Sequence, residues 1–213
     1  MASFHPSQDL LVDYATGALP DPFSLMIGTH LALCPECRME TRRLEAVGGA
    51  MLQEIDPTPL RAGALDRMMA RLDEAQEGSR QIIAPQDPFS GRIPEPLLSR
   101  VAGSSWRKVN KGIDEIILPT ELDGVTAQLL RIRAGAKVPR HSHQGHEYTL
   151  VLAGGFSDHT GRFGPGDLTV ADSALTHTPV ADPDQDCYCL AIVDGGLRLP
   201  GPLGRVLSLF WRI

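Results

Sequence analysis

No apolar run in this chain of 213 residues approaches the ~18 residues that a membrane-spanning helix needs. The opening residues lack the basic-then-apolar order of a secretory leader, and Pro6, Pro20 and Pro22 punctuate them instead. Together these absences point to a soluble, cytoplasmic protein with no membrane contact. A basic excess is missing too, since 20 Lys and Arg stand against 26 Asp and Glu. Phosphate would repel such a surface, which argues against direct nucleic-acid binding. Cysteine is scarce, with four in the chain. In a reducing compartment so few thiols suit metal ligation or redox chemistry better than structural disulfides.

The acidic charge is concentrated at one end. Residues 1–85 carry 12 acidic and 7 basic side chains, whereas residues 86–213 carry 14 and 13. An acidic unit steers toward a protein whose own surface is basic, such as one that binds DNA, although the same charge also serves solubility alone. The length admits two small domains, each with its own core.

The first part reads as helical. Ser7 caps a helix bearing Leu10, Leu11, Tyr14 and Ala15, which Gly17 and Pro20 end. Asp21-Pro22, read as a cap followed by a first-turn proline, then opens a second, with Leu25, Met26, Thr29, His30 and Leu33 at helical spacing until Pro35 interrupts. A third runs from Pro35 toward Met51. A fourth, roughly Leu60 to Gln76, gathers Leu65, Met68, Met69 and Leu72 on one face, a stripe that ordinarily packs into a core. Glu77 to Pro96, rich in Gly, Ser and Pro without apolar period, reads as a flexible connection. Beyond it, β-branched and aliphatic segments recur between turns: Ile113 to Leu118, Val125 to Ile132, Glu147 to Leu152, Leu168 to Ala171, Cys187 to Val193 and Val206 to Trp211. That spacing predicts a sandwich or small barrel.

Two constellations carry chemistry. His141, His143 and Glu147 share one parity, so on an extended strand they face the same side. Two imidazoles and a carboxylate make a site for a first-row divalent metal, with His177 the candidate fourth ligand from another strand. The second constellation is His30-x-x-x-Cys34-x-x-Cys37, joined by His5 from the amino-terminal tail. His30 and Cys34 lie one helical turn apart, and Cys37 follows across the Pro35 break. Two histidines and two cysteines satisfy a closed tetrahedral zinc site and leave no position open for chemistry. Structural zinc supplies about 10–16 kcal/mol of apparent folding energy to small domains with thin cores. The alternative is a buried histidine beside two inert or redox-sensing thiols. Cys187 and Cys189 share a strand face, cannot easily bond each other, and read as small packing residues that approach the metal if that face is the inner one. His146 and His159 match no ligand spacing, and Trp106, Tyr148, Phe210 and Trp211 read as packing residues.

The pattern His5…His30-x-x-x-Cys34-x-x-Cys37 resembles the zinc-binding anti-sigma domain of regulators of extracytoplasmic-function sigma factors. Gly135 through Gly154, with its H-x-H-x-x-x-E core, and His177 resemble a cupin. The cupin's second motif is partial: Gly164-Pro165-Gly166-Asp167 supplies the turn, but Ala181 stands where many cupin enzymes carry Asn. Both units in this order are similar to the ChrR-type anti-sigma factors over nearly the whole chain.

That resemblance implies an α+β protein of two domains: a small all-α zinc domain at residues 1–80, a linker at 81–98 and an all-β cupin barrel at 99–213. It implies zinc on His5, His30, Cys34 and Cys37, and a second zinc or another divalent metal on His141, His143, Glu147 and His177. The implied partner is an extracytoplasmic-function sigma factor, held without catalysis and released on a singlet-oxygen-type signal, or a small molecule, sensed at the cupin. The runner-up is a metal-dependent cupin enzyme, a dioxygenase or isomerase, with an accessory zinc domain; the departure at Ala181 weighs against it. A thiol switch at Cys34 and Cys37 is a third reading.

Overall fold

A computed structural model describes residues 2–77, 91, 93–195 and 197–198. Five helices come first in the chain: α1 (Gln8–Ala15), α2 (Asp21–Leu33), α3 (Pro35–Gln53), α4 (Ala64–Glu77) and α5 (Glu95–Val101). Their ends follow from local chemistry. The Ser7 hydroxyl accepts the Leu10 N–H at 3.3 Å and caps α1, while Gly17, at φ 72°, turns the chain away afterwards. Pro35 cannot continue α2 but suits the first turn of α3, so Cys34 sits extended between them at φ −113°, ψ 104°. Asp21 is not the cap of α2. It is the first helical residue, and its carboxylate pairs with Arg100 of α5 instead.

Eleven strands follow among the described residues: β1 (Arg107–Lys108), β2 (Ile113–Leu118), β3 (Val125–Ile132), β4 (Ser142–His143), β5 (Glu147–Ala153), β6 (Phe156–Asp158), β7 (Gly161–Phe163), β8 (Leu168–Ala171), β9 (Val180–Ala181), β10 (Cys187–Asp194) and β11 (Leu197–Arg198). They form an antiparallel six-stranded sheet ordered β1-β2-β3-β10-β5-β8, a three-stranded sheet β7-β6-β9 and the pair β11-β4. Isolated bridges, Lys137 to Val180 and His141 to His177, span the remaining gaps. The strands wrap a common interior without continuous hydrogen bonding around it, so the expected barrel is open among the described residues.

Both faces of the large sheet are covered. Along β10, Cys187 and Cys189 point to the interior with Ile113, Ile132, Val151, Phe156 and Phe163. Tyr188, Leu190 and Ile192 alternate outward and join Met26, Ile27 and Leu31 of α2 and Leu97 and Val101 of α5. Burial on two sides explains why this strand reads as an unbroken apolar run. The helices and the sheet thus share one apolar core.

Two features differ from the sequence reading. The connection expected from Glu77 to Pro96 ends in a helix, because Leu97 (0% exposed) and Val101 (1%) anchor α5 between α2 and β2. One pair of apolar residues four apart is too short a signal for periodicity to register. Conversely, the apolar face of α4 is not buried: Leu65, Met68, Met69 and Leu72 are exposed. The linker positions 81–90 and 92, and the strand expected at Val206 to Trp211 with its packing residues Phe210 and Trp211, lie outside the described residues.

Two candidate metal centres

His30 enters the first cluster from the last turn of α2, and its ring is fully buried. Its Nδ1 donates to the Gly166 carbonyl at 2.8 Å, which leaves the Nε2 lone pair facing inward. That Nε2 is a buried nitrogen with no hydrogen-bond partner. Cys34 caps α2 and Cys37 lies in the first turn of α3, where the free backbone amides favour negative sulfur. His5 closes the group, with its Nδ1 3.5 Å from the Cys34 sulfur and 3.3 Å from the Cys37 sulfur. One ligand atom from each of the four residues lies within 4.8 Å of the others.

The electrostatics of this cluster suit a cation. Burial pushes His30 down to about 4, so it is neutral and offers a lone pair at physiological pH. Burial, then the neighbouring Cys34, pushes the Cys37 thiol up to about 12. A buried Cys37 thiol that resists ionisation by itself, next to a second buried cysteine and an orphaned imidazole nitrogen, fits a divalent ion that would supply the missing positive charge. Zinc there would act as a crosslink between the tail, α2 and α3.

The second cluster sits inside the sandwich. His143 belongs to β4 and Glu147 opens β5, while His141 and His177 are paired across an isolated bridge by reciprocal backbone bonds of 3.1 and 3.0 Å. The shared strand expected for His141, His143 and Glu147 is therefore corrected: Gln144 to His146 turn the chain between β4 and β5, and convergence comes from two neighbouring segments. Two outer hydrogen bonds fix the rings. His141 Nδ1 donates to the Pro139 carbonyl at 2.7 Å, and His177 Nδ1 donates to Asp158 at 2.8 Å. Both inner nitrogens then carry lone pairs, yet they face each other at 3.0 Å, with His143 Nε2 3.4 Å from that of His177.

Lone pairs so placed repel unless something positive lies between them. Glu147 Oε2 joins at 3.2 Å from His143, 3.6 Å from His177 and 3.8 Å from His141. Ligand separations of about 3.0–3.4 Å are what metal–ligand bonds near 2.1 Å produce at octahedral or tetrahedral angles. Although burial opposes it, the surrounding His141, His177 and His143 rings hold the Glu147 carboxyl far below its usual range. Burial also lowers His143, while Glu147 and Asp158 overcome burial to raise His177. The donor set of three imidazoles and one carboxylate fits zinc, iron or manganese.

A cavity of about 50 Å³ opens beside this cluster, lined by Leu130, Ile132, Phe156, Phe163, Thr149 and Cys189 among others. Cys187 and Cys189 are thus on the inner face, both buried and unbonded, and Cys187 and burial raise the Cys189 thiol. His146 and His159 are exposed and join neither cluster. Trp106 and Tyr148 pack as expected, against Tyr188 and Phe23. Sequence reasoning missed the residues that orient the ligands. Asp158 has no motif around it, whereas Gly166 and Asp167 lie in a turn whose motif was visible but whose contact with His30 and the tail was not.

A sequence model of the ChrR Cupin-like domain family matches residues 95–194. The Anti-sigma-E factor ChrR of Cereibacter sphaeroides is 44% identical over 215 residues, spanning 98% of this chain and 98% of that protein. A crystal structure of Rhodobacter sphaeroides SigE in complex with the anti-sigma ChrR matches at TM-score 0.75 and 43% identity, covering 91% of this chain and 100% of that one. Similarity at this level runs through helices and sandwich alike. The chain belongs to the ChrR family of anti-sigma factors.

Proposed function

We propose that this protein sequesters an extracytoplasmic-function sigma factor through its helical part and releases it when the cupin part registers a signal. The observation that carries the reading is the full-length similarity to ChrR, a protein crystallised with SigE. The surface agrees with it. Val47, Met51 and Leu52 of α3 and Leu65, Met68 and Leu72 of α4 are all more than half exposed, on the acidic part of the chain. A large apolar surface with acidic surroundings suits a partner that presents apolar grooves within a basic, DNA-binding surface. Inhibition by occlusion requires no turnover, so the activity is binding and not catalysis.

In the same reading His5, His30, Cys34 and Cys37 hold structural zinc, and His141, His143, Glu147 and His177 hold zinc or another divalent metal at the receptor. Residues 1–80 form the inhibitor and 99–213 the receptor, joined by 81–98, in the cytoplasm. No helix among the described residues is long and apolar enough to cross a membrane. The signal is oxidative or a small molecule entering the cavity beside the second cluster, and it acts by favouring the released state. The test is co-expression with extracytoplasmic-function sigma factors of the same organism, followed by in vitro transcription. A one-to-one complex that silences sigma-dependent initiation supports the reading, and failure to co-purify or to inhibit overturns it.

A further inference from the structure

One turn of the sandwich reaches the first cluster directly and lies beside the wall of the cavity next to the second. Gly164 to Asp167 joins β7 to β8 and is stitched to β5, since the Gly166 N–H donates to the Val151 carbonyl at 2.8 Å and the Val151 N–H to the Asp167 carbonyl at 3.0 Å. Asp167 Oδ2 accepts the Gly164 N–H at 2.7 Å and closes the turn. The same turn reaches out to the helical part. The Gly166 carbonyl holds His30 Nδ1. Asp167 Oδ1 accepts the N–H groups of Ser3 at 2.5 Å and Phe4 at 3.0 Å, and the Leu168 N–H donates to the Phe4 carbonyl at 3.0 Å.

His5 is the next residue, so a strap three residues long ties it to the sandwich. The Phe4 ring lies 4.9 Å from that of Phe163, and Phe163 lies 5.0 Å from Phe156. Phe163 and Phe156 both line the cavity beside the second cluster. Gly166 adopts φ +90°, and a Cβ there would come within 3.2 Å of Ala2 and 3.6 Å of Leu33, so glycine alone lets the strap and α2 approach so closely.

We infer that Gly166 and Asp167 are positioning residues for the amino-terminal metal cluster, and that through them the state of the sandwich interior sets how tightly that cluster holds its ion. The inference rests on the reading that His5, His30, Cys34 and Cys37 bind metal. Its physical content lies in which ligands the turn governs. Both cysteines are fixed by the α2–α3 junction, whereas both histidines depend on the turn: His30 for its tautomer and ring orientation, His5 for the position of its backbone. A rearrangement around Phe156 and Phe163 displaces Phe4 and the turn together, loosening two of four ligands and leaving the thiolates in place. Outer partners of ligating histidines typically govern 10–100-fold in metal affinity. Because the coupling is thermodynamic it runs both ways, so emptying the first cluster also alters affinity at the second.

The test is a Co2+ titration of the full-length chain, followed by the thiolate-to-cobalt charge-transfer band. That band reports Cys34 and Cys37 alone, since the second cluster has no sulfur ligand. Asp167→Ala and Phe4→Ala are expected to weaken cobalt binding about 10–100-fold and to move the band. Phe4→Ala leaves every hydrogen bond of the turn intact and stands if Asp167→Ala does not fold. Emptying the second cluster with a His141→Ala/His143→Ala double variant is expected to change affinity at the first cluster when Phe4 is present, and to have no effect when Phe4→Ala is combined with it. Unchanged affinities in both single variants, or an effect of the double variant that persists without Phe4, overturns the coupling. Absence of the thiolate band from the wild-type chain overturns the metal reading itself.

Discussion

At the scale of single residues, protons compete with metal in a defined direction. With the Cys37 thiol pushed up to about 12, it is protonated in the metal-free protein across the neutral range, and binding an ion must expel at least that proton. Zinc affinity at the first cluster is therefore expected to fall at least about tenfold for each pH unit below neutrality, as measured by competition with a chromogenic chelator; a flat profile between pH 8 and 6 contradicts thiolate ligation. His30 contributes in the same sense to metal-free folding. Its folded value, about 4, lies below the ordinary 6.5, so the unfolded chain takes up the proton first. Stability of the metal-free protein should decline as pH falls from 6.5 toward 4, and urea unfolding at a series of pH values will show whether it does. Cys34→Ser or Cys37→Ser removes a ligand outright and is expected to abolish sigma binding along with zinc.

Among the elements, α4 and α5 make opposite demands. α5 is short but plugged into the shared core by Leu97, so Leu97→Ala should cost about 2–5 kcal/mol in denaturant unfolding. α4 shows its apolar face to solvent, and a Met68→Glu/Leu72→Glu variant should leave that unfolding curve within about 0.5 kcal/mol of wild type. The same variant should weaken sigma capture at least about tenfold, as expected for anchors at the centre of an interface. Equal capture by the variant would move the docking surface away from α4. Periodicity could reveal that α4 has an apolar face, and the bounds of β2, β3 and β8 follow from their β-branched and aliphatic content between flanking turns. It could not reveal which apolar face is left for a partner. Nor could it reveal the short strands β4, β6, β7 and β9, two or three residues long, because strands so brief carry no period and exist only through the neighbours they pair with.

For the whole molecule, the proposed function puts binding and release on the two sides of one apolar core. His141→Ala or Glu147→Ala should leave inhibition in place and blunt induction, read as reporter output from a sigma-dependent promoter with and without the oxidative signal. Induction equal to wild type in both variants would disconnect the second cluster from signalling. Gently purified chain should carry two metal ions by elemental analysis, and one ion per chain would remove one of the two centres.

The amino-acid sequence by itself determined the ligand types and their local spacing, because a helical turn brings His30 to Cys34 and a proline break brings Cys37 beside them without help from distant parts of the chain. It likewise determined the unbroken apolar run that lets β10 bury both faces. Only the tertiary structure decided what orients those ligands: Gly166 meets His30 across 136 positions, Asp167 meets Phe4 across 163, and Asp158 meets His177 across 19. Such partners carry no local signature, since any carbonyl or carboxylate can serve once folding has carried it there. The physical reason is that covalent neighbours are fixed by chain geometry, whereas the groups that hold a ring in one tautomer are chosen by how two layers pack.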